Sequence, residues 1–313
     1  MRVLLKTPAL EIRGRRLEWG RRTYLMGVIN ITPDSFSGDG LLPAEPVSPS
    51  EVSSAATDLE NEGGFLQAAL EQGRQFVVQG ADILDIGGES TRPGAQPVGV
   101  EAELKRVIPV IRLLSVELEA LISVDTYRAP VAEAALQAGA HIVNDVWGLR
   151  ADPDLAAIAA RHNAPVILMH NRSSWAHAEI REQLGGRYVG VPYTNLLEDI
   201  RRELLESVDL ARAAGIPDAH ILLDPGIGFG KTVEQNLELI DRLDEVRSLG
   251  FPVLLGVSRK SFIGYTLNLP PDQRLEGTAA AVAVGIARGA DIIRVHDVAF
   301  MSRVARMADA IVR

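Results

Sequence analysis

The chain has 313 residues, 47% hydrophobic and 23% charged, with a net charge of −9 and no cysteine. That balance supports a large buried core and argues against disorder or a fibrous repeat, while the missing thiols exclude disulfides, thiolate metal sites and cysteine nucleophiles and suit a reducing cytoplasm. The negative charge disfavours non-specific binding to nucleic acid or anionic lipid, so a small-molecule partner is expected.

The opening MRVLLKTPAL carries charges at Arg2 and Lys6 and too short an apolar run for a signal peptide, and the apolar stretch 279–287 is too short to span a bilayer. Neither export nor membrane insertion is expected. Residues 1–23 alternate apolar and polar positions around Thr7-Pro8 and Arg13-Gly14, which predicts a short hairpin plugging one end of the main fold. From Tyr24 onward, short apolar runs ending in polar residues alternate with longer segments of helical period, at 25–29, 83–86, 121–124, 141–143, 166–169, 221–223, 253–255 and 292–294. Strand and helix repeated eight times predict an α/β fold, a closed (β/α)8 TIM barrel filling residues 24–313 as one domain, with a doubly wound sheet as the alternative. A weak internal repeat supports the barrel: QGADILDIGG (79–88), AGAHIVNDVW (138–147) and RGADIIRVHD (288–297) each place Gly-Ala at a helix end just before a strand. Two segments break the rhythm. Residues 41–62, rich in Pro, Ser and acid, predict an extended, mobile loop, and 171–192 predict a second long connection, a candidate lid, before a helix over 193–214.

The stretch ILLDPGIGFGK (221–231) is the pivot of the chain: a buried strand, a carboxylate at its carboxyl end, then glycines that permit positive φ or close approach of a ligand. In a barrel the carboxyl ends of the strands build the active site. Those ends carry Asn30, Asp85, Asp125, Asn144, Asp145, His170, Asp224, Ser258, Arg259, Lys260, Arg294 and His296. Singly, each could be a satisfied polar cap or a surface ion pair. Together, Asp125, Asn144 and Asp224 could read the donor-rich edge of a flat heterocycle such as guanine or a pterin. Arg92, Arg259, Lys260, Arg294 and His296, beside the start of the last helix, suit a phosphate or pyrophosphate. Lys260 could alternatively be a Schiff-base nucleophile.

These motifs resemble the dihydropteroate synthase family, in order and over nearly the whole barrel: MGVINITPDSFSGDG (26–40), DIGGESTRPG (85–94), SVDTY (123–127), IVNDVWG (142–148), LMHN (168–171), LLDPGIGFGK (222–231), GVSRKSFIG (256–264) and IIRVHDV (292–298). The insert at 41–62 and the loop tip GDG, where DGG is commoner, depart from that pattern. The resemblance implies condensation of 6-hydroxymethyl-7,8-dihydropterin pyrophosphate with 4-aminobenzoate, in a cytoplasmic homodimer using Mg²⁺. It implies that Asp125, Asn144, Asp224 and Lys260 hold the pterin, that Asn30 holds Mg²⁺, and that Thr91, Arg294 and His296 gather the pyrophosphate. Phe36, Arg92, Pro93, Phe229 and Ser258 would frame the aminobenzoate, for which sulfonamides would compete, with Phe36 and Pro93 on loops that order only after the pterin binds. The alternatives are a methyltetrahydrofolate corrinoid methyltransferase, which needs no pyrophosphate site, a non-catalytic pterin-binding relative, and a generic sugar-phosphate barrel enzyme.

Overall fold

The computed structural model describes residues 7–32, 41, 55–90, 97–181 and 183–313, with the backbone alone at 55–63 and 175. Strands β1 (Leu10–Ile12) and β2 (Arg15–Leu17) form the expected antiparallel hairpin, with Leu10 opposite Leu17. The barrel strands follow as β3 (Tyr24–Asn30), β4 (Ile83–Gly87), β5 (Leu121–Asp125), β6 (Ile142–Asp145) and β7 (Val166–Met169). After a small antiparallel pair, β8 (Ala178–Arg181) and β9 (Gly185–Tyr188), come β10 (Ile221–Asp224), β11 (Leu254–Gly256) and β12 (Ile292–Val295). All eight barrel strands are parallel to their neighbours, β12 returns to pair with β3, and a bridge between Leu223 and Val253 closes the ring.

Helices α1 (Ala55–Val78), α2 (Val100–Glu117), α3 (Ala129–Ala138) and α4 (Leu155–Arg161) cover the first half of the barrel. The second half carries α5 (Leu196–Ala213), α6 (Val233–Asp241), α7 (Leu243–Arg247), α8 (Ser261–Leu267), α9 (Leu275–Ala287) and α10 (Val298–Val312). Among the described residues no helix is long and apolar enough to cross a membrane. The Gly-Ala repeat works as read: Gly139 ends α3 with φ 113°, and its N–H returns to the carbonyls of Ala135 and Leu136.

One expectation is corrected. Helix α1 begins at Ala55, inside the segment 41–62 expected to be loop. From Ala55 the run AATDLENE holds good helix formers and no Gly or Pro, with Asp58 in the first turn, a signal masked by the Pro- and Ser-rich residues before it. Residues 42–54 lie outside the described residues. The long connection expected over 171–192 carries the β8–β9 hairpin, pinned by Tyr265 donating to the Gly185 carbonyl at 3.1 Å and Arg274 to that of Leu184 at 3.0 Å.

The barrel interior has two levels, set by the period-two alternation of the strands. Leu10 and Leu17 of the hairpin pack against Tyr24, Met26, Ile83, Leu121, Ile142, Ile167, Leu222, Leu254 and Ile292, a dry layer at the amino ends of the strands. Two residues farther along, on the same faces, stand Asp85, Ser123, Asn144, Asp224 and Arg294. The hairpin seals the apolar level, and the polar level opens at the carboxyl ends. Leu10→Ala is therefore expected to cost about 2–5 kcal/mol in urea unfolding, the usual cost of a buried Leu-sized cavity, without altering ligand binding at the opposite mouth. A loss under about 1 kcal/mol would mean that the hairpin does not seal the barrel.

Candidate active site

The polar level is organised by Arg294. Its Nε donates to Asp85 Oδ2 at 2.6 Å, its Nη2 donates to Asp125 Oδ2 at 2.7 Å, and Asn144 Nδ2 donates to the same Asp85 oxygen at 3.0 Å. Strands β12, β4, β5 and β6 thus meet in one charge-assisted cluster. Because a carboxylate only accepts, Asn144 must turn its NH₂ toward Asp85, which leaves its Oδ1 as an acceptor. Burial pushes the Asp125 carboxyl up to about 7, against Arg294 and reinforced by Asp85. Burial opposes the charge on Arg294, but Asp85 and then Asp125 outweigh it and raise its pKa.

Asp224, at the end of β10, accepts the N–H of Gly226 at 2.7 Å, and burial raises its pKa against the pull of Lys260. Lys260 donates to the Ile227 carbonyl and holds its ammonium 4.7 Å from the centre of the Phe229 ring. Burial lowers its pKa to about 8, opposed by Asp224, so it is still mostly a cationic donor at neutral pH. His296 is tied to Ser258, whose Oγ lies 3.0 Å from Nδ1 and accepts the His296 N–H at 3.2 Å. At the mouth, a Cβ built on Gly87 would lie 3.8 Å from both Asn30 Oδ1 and Asp125 Oδ2.

A second network lies beneath the 224–231 turn. Lys231 is 1% exposed, and its Nζ donates to the carbonyls of Gly226 and Phe229 at 2.9 Å and lies 3.0 Å from His170 Nδ1. Burial pushes this amine well below its ordinary range, against Asp224, yet three acceptors match the three protons of an ammonium. His170 Nε2 lies 3.0 Å from Glu203 Oε2, and Glu203 also accepts Arg172 Nε at 3.0 Å. A lysine facing Nδ1 and a carboxylate facing Nε2 select the neutral tautomer protonated at Nε2. Burial, with Lys231 adding to it, lowers His170 to about 3. For Glu203, burial works upward, but the hydrogen bonds from His170 and Arg172 win and lower its pKa. The glycines above the network make room for protein. A Cβ on Gly226 (φ 70°) would stand 1.8 Å from the His170 carbonyl oxygen, and one on Gly230 (φ 65°) 2.3 Å from the Arg172 carbonyl carbon. At these two positions the close approach read from the sequence is that of the loop after β7.

Of the residues singled out from the sequence, the structure gathers Asn30, Asp125, Asn144, Asp224, Phe229, Ser258, Lys260, Arg294 and His296 at one mouth. Phe36, Thr91, Arg92 and Pro93 lie outside the described residues. Arg259, expected among the anion-binding cations, pairs with Asp297 at 2.5 Å. Arg294 has Nε and Nη2 committed to two carboxylates, a role that strand-end position did not reveal. Sequence reasoning noted Asp85 and His170 as strand-end residues without giving them roles, and passed over Lys231 and Glu203. For Asp85 the signal was present, because the run ILDIG alternates inward at Ile83, Asp85 and Gly87. For Glu203, on the helical run LLEDIRRELLESVDLARA, no local signal separates it from its solvated neighbours.

The sequence profile of the family described as pterin binding enzyme matches residues 47–296. The chain is 43% identical to a dihydropteroate synthase of Clostridium beijerinckii, over 97% of this chain and 100% of that one. It is 36% identical to the Yersinia pestis dihydropteroate synthase solved with a sulfonamide drug, with a TM-score of 0.82 over 97% of this chain and 98% of that one. It is 37% identical to the Xanthomonas albilineans dihydropteroate synthase solved with 4-aminobenzoic acid, with a TM-score of 0.79 over 98% of each chain.

The buried network has a pH signature. A histidine held at about 3 when folded, against 6.5 when unfolded, contributes stability that is complete above pH 6.5 and lost as pH falls toward 3, because only the unfolded chain takes up the proton in that window. Relative to His170→Gln, the wild type should lose up to about 1.4 kcal/mol per pH unit between those limits. Urea unfolding of both proteins at pH 7, 6 and 5 measures the difference, and a constant gap would show that His170 is not held neutral.

Proposed function

We infer that this chain, which belongs to the dihydropteroate synthase family of pterin-binding enzymes, condenses 6-hydroxymethyl-7,8-dihydropterin pyrophosphate with 4-aminobenzoate, releasing pyrophosphate and forming 7,8-dihydropteroate in folate synthesis. The observation that carries the reading is the set of acceptors, the buried Asn144 Oδ1 and Asp224 and the partly buried Asp125, beside the donors Lys260 and Arg294. A pterin presents adjacent N–H and NH₂ donors along one edge and a carbonyl and ring nitrogens along the other, so this set complements both. A donor-rich ligand favours the ionised form of Asp125, whose carboxyl titrates near neutrality when the pocket is empty.

Once the ring is held, the bond to break is that between the methylene carbon and the pyrophosphate oxygen. The electron-rich pterin shares the positive charge left on that carbon, and the arylamine attacks with a lone pair it already has, so no strong base is needed. The amine proton leaves with solvent or with the departing pyrophosphate. His296 stands one residue before the Asp297 cap of α10, where a helix amino terminus favours an anion. Phe229 offers the aminobenzoate an apolar face, with Ser258 tied to His296 nearby.

Mg²⁺ fits the residues present. Among the described residues no cluster of three His, Asp or Glu side chains could hold a metal by itself, while Asn30 supplies a hard oxygen donor at the mouth, its Oδ1 3.8 Å from where a Cβ on Gly87 would stand. Asn30 would hold the ion, with pyrophosphate oxygens and water as its remaining ligands, the arrangement that Mg²⁺ prefers. Bound there, Mg²⁺ supplies charge neutralisation to the leaving group. We further infer a homodimer, checked by light scattering, and a cytoplasmic location, which suits a cysteine-free chain.

The direct assay is pyrophosphate release from the pterin substrate with and without 4-aminobenzoate. Dependence on both substrates is expected, and it separates this activity from a corrinoid methyltransferase and from a non-catalytic relative. Asp224→Asn should weaken pterin binding by about 1.5–3 kcal/mol with the fold intact, since an amide cannot replace a charged acceptor. Unchanged calorimetric affinity would remove Asp224 from the ring site. Pyrophosphate binding should depend on Mg²⁺ in the wild type and much less so in Asn30→Ala. If Arg294→Ala binds pyrophosphate as tightly as the wild type, the anion site lies elsewhere.

A further inference from the structure

We propose that Asp85 is a positioning residue for the pterin ring, acting through Asn144 and Arg294; the proposal rests on the reading of this mouth as a pterin site. Asp85 sits in the middle of β4, two residues before the strand ends at Gly87, and faces inward between Val28 and Ser123 in the neighbouring strands. It is 0% exposed, so its influence on a ligand passes through the groups it holds. A single oxygen, Oδ2, takes both Asn144 Nδ2 at 3.0 Å and Arg294 Nε at 2.6 Å. The other oxygen, Oδ1, is buried without a hydrogen-bond partner among the described residues. Leaving a buried carboxylate oxygen unpartnered is costly, and a residue kept only to support the strand would be cheaper as an apolar side chain.

What the carboxylate supplies is direction. An amide can present either oxygen or nitrogen to a ligand, and its two orientations have nearly the same shape. Facing Asp85, which only accepts, Asn144 is restricted to one of them, with Oδ1 left to accept from the ring. Arg294 is fixed by the same atom. With Nε held by Asp85, its Nη2 falls on Asp125 Oδ2, and the second Asp125 oxygen is left for a ligand donor. Asp85 therefore sets two of the three acceptors that read the ring, although it touches no ligand.

Asp85→Asn keeps the shape and removes the restriction. Its amide oxygen is a weaker acceptor for two donors, and with its NH₂ turned inward it repels them both, allowing Asn144 to flip. The test is calorimetric binding of 6-hydroxymethyl-7,8-dihydropterin to the wild type, Asp85→Asn, Asn144→Ala and the double variant, alongside the KM of each substrate. Asp85→Asn should weaken pterin binding about 10-fold to 100-fold and raise the KM for the pterin pyrophosphate similarly, with the KM for 4-aminobenzoate changed less than about twofold. The double variant should bind little worse than the weaker single variant, since residues acting as a unit do not add. Should Asp85→Asn fail to fold, Asp85→Glu, which keeps the charge and displaces the acceptor by one methylene, carries the same expectation. Failure of the wild type to bind the pterin would overturn the functional reading itself. Wild-type binding with unchanged affinity in the folded variant, or full additivity in the double variant, would overturn the role of Asp85 alone.

Discussion

A partly buried guanidinium held between two carboxylates is the interaction on which the upper half of this barrel depends. Arg294 enters from β12 and meets Asp85 of β4 and Asp125 of β5, so its charge is balanced across the barrel and not along one strand. Moving such a charge out of water costs several kcal/mol, which is recovered only when partners stand in the right geometry, and removing one partner typically costs about 3–5 kcal/mol. The strand between them, β3, contributes Val28 at the level of Asp85, a side chain too short to block the approach. Closure of the ring is thus a condition for the cluster. An open sheet would keep β12 and β4 on either side of β3 but would leave the salt bridges facing water, where they orient little.

That cluster is stable in place because the interior is divided into levels. Below it the amino-terminal hairpin and the inward residues at the start of the strands form a buried apolar layer that covers the charges from that end. Beside it a separate set of charges holds the turn after β10. Lys231 gathers two carbonyls of that turn, and through His170 and Glu203 ties it to the loop after β7 and to α5. The two networks meet at Asp224, which faces Lys260 on one side and the Gly226 N–H on the other. One network fixes the acceptors on the barrel floor, and the other fixes the wall that carries Phe229.

Much of this was legible from the residues alone. Strands such as Val166–Met169 and Ile221–Asp224 are short runs buried on both faces, and their ends fall within a residue or two of the apolar runs because burial, not capping, decides them. Asp125, Asn144, Asp224, Lys260 and Arg294 were visible because barrel topology sends the carboxyl ends to one mouth. Helix α1 was mistaken for loop over 55–62 because a polar segment can be helical without an apolar stripe in its first turns. The pairing of Arg259 with Asp297, 38 residues away, was not legible because sequence gives a charge without its partner.

By itself the sequence determined the barrel, the inward alternation of each strand and the mouth at which its polar residues collect, because those follow from local periodicity and from the hand of strand–helix–strand connections. It also determined the family, through motifs spread along nearly the whole chain. Only the tertiary structure decided which carboxylate faces which cation. Arg294 lies 209 residues from Asp85 and 169 from Asp125, and Lys231 lies 61 from His170. Such pairings are set by the shear of the closed ring and by the direction of single bonds, neither of which leaves a trace in the local pattern of residues.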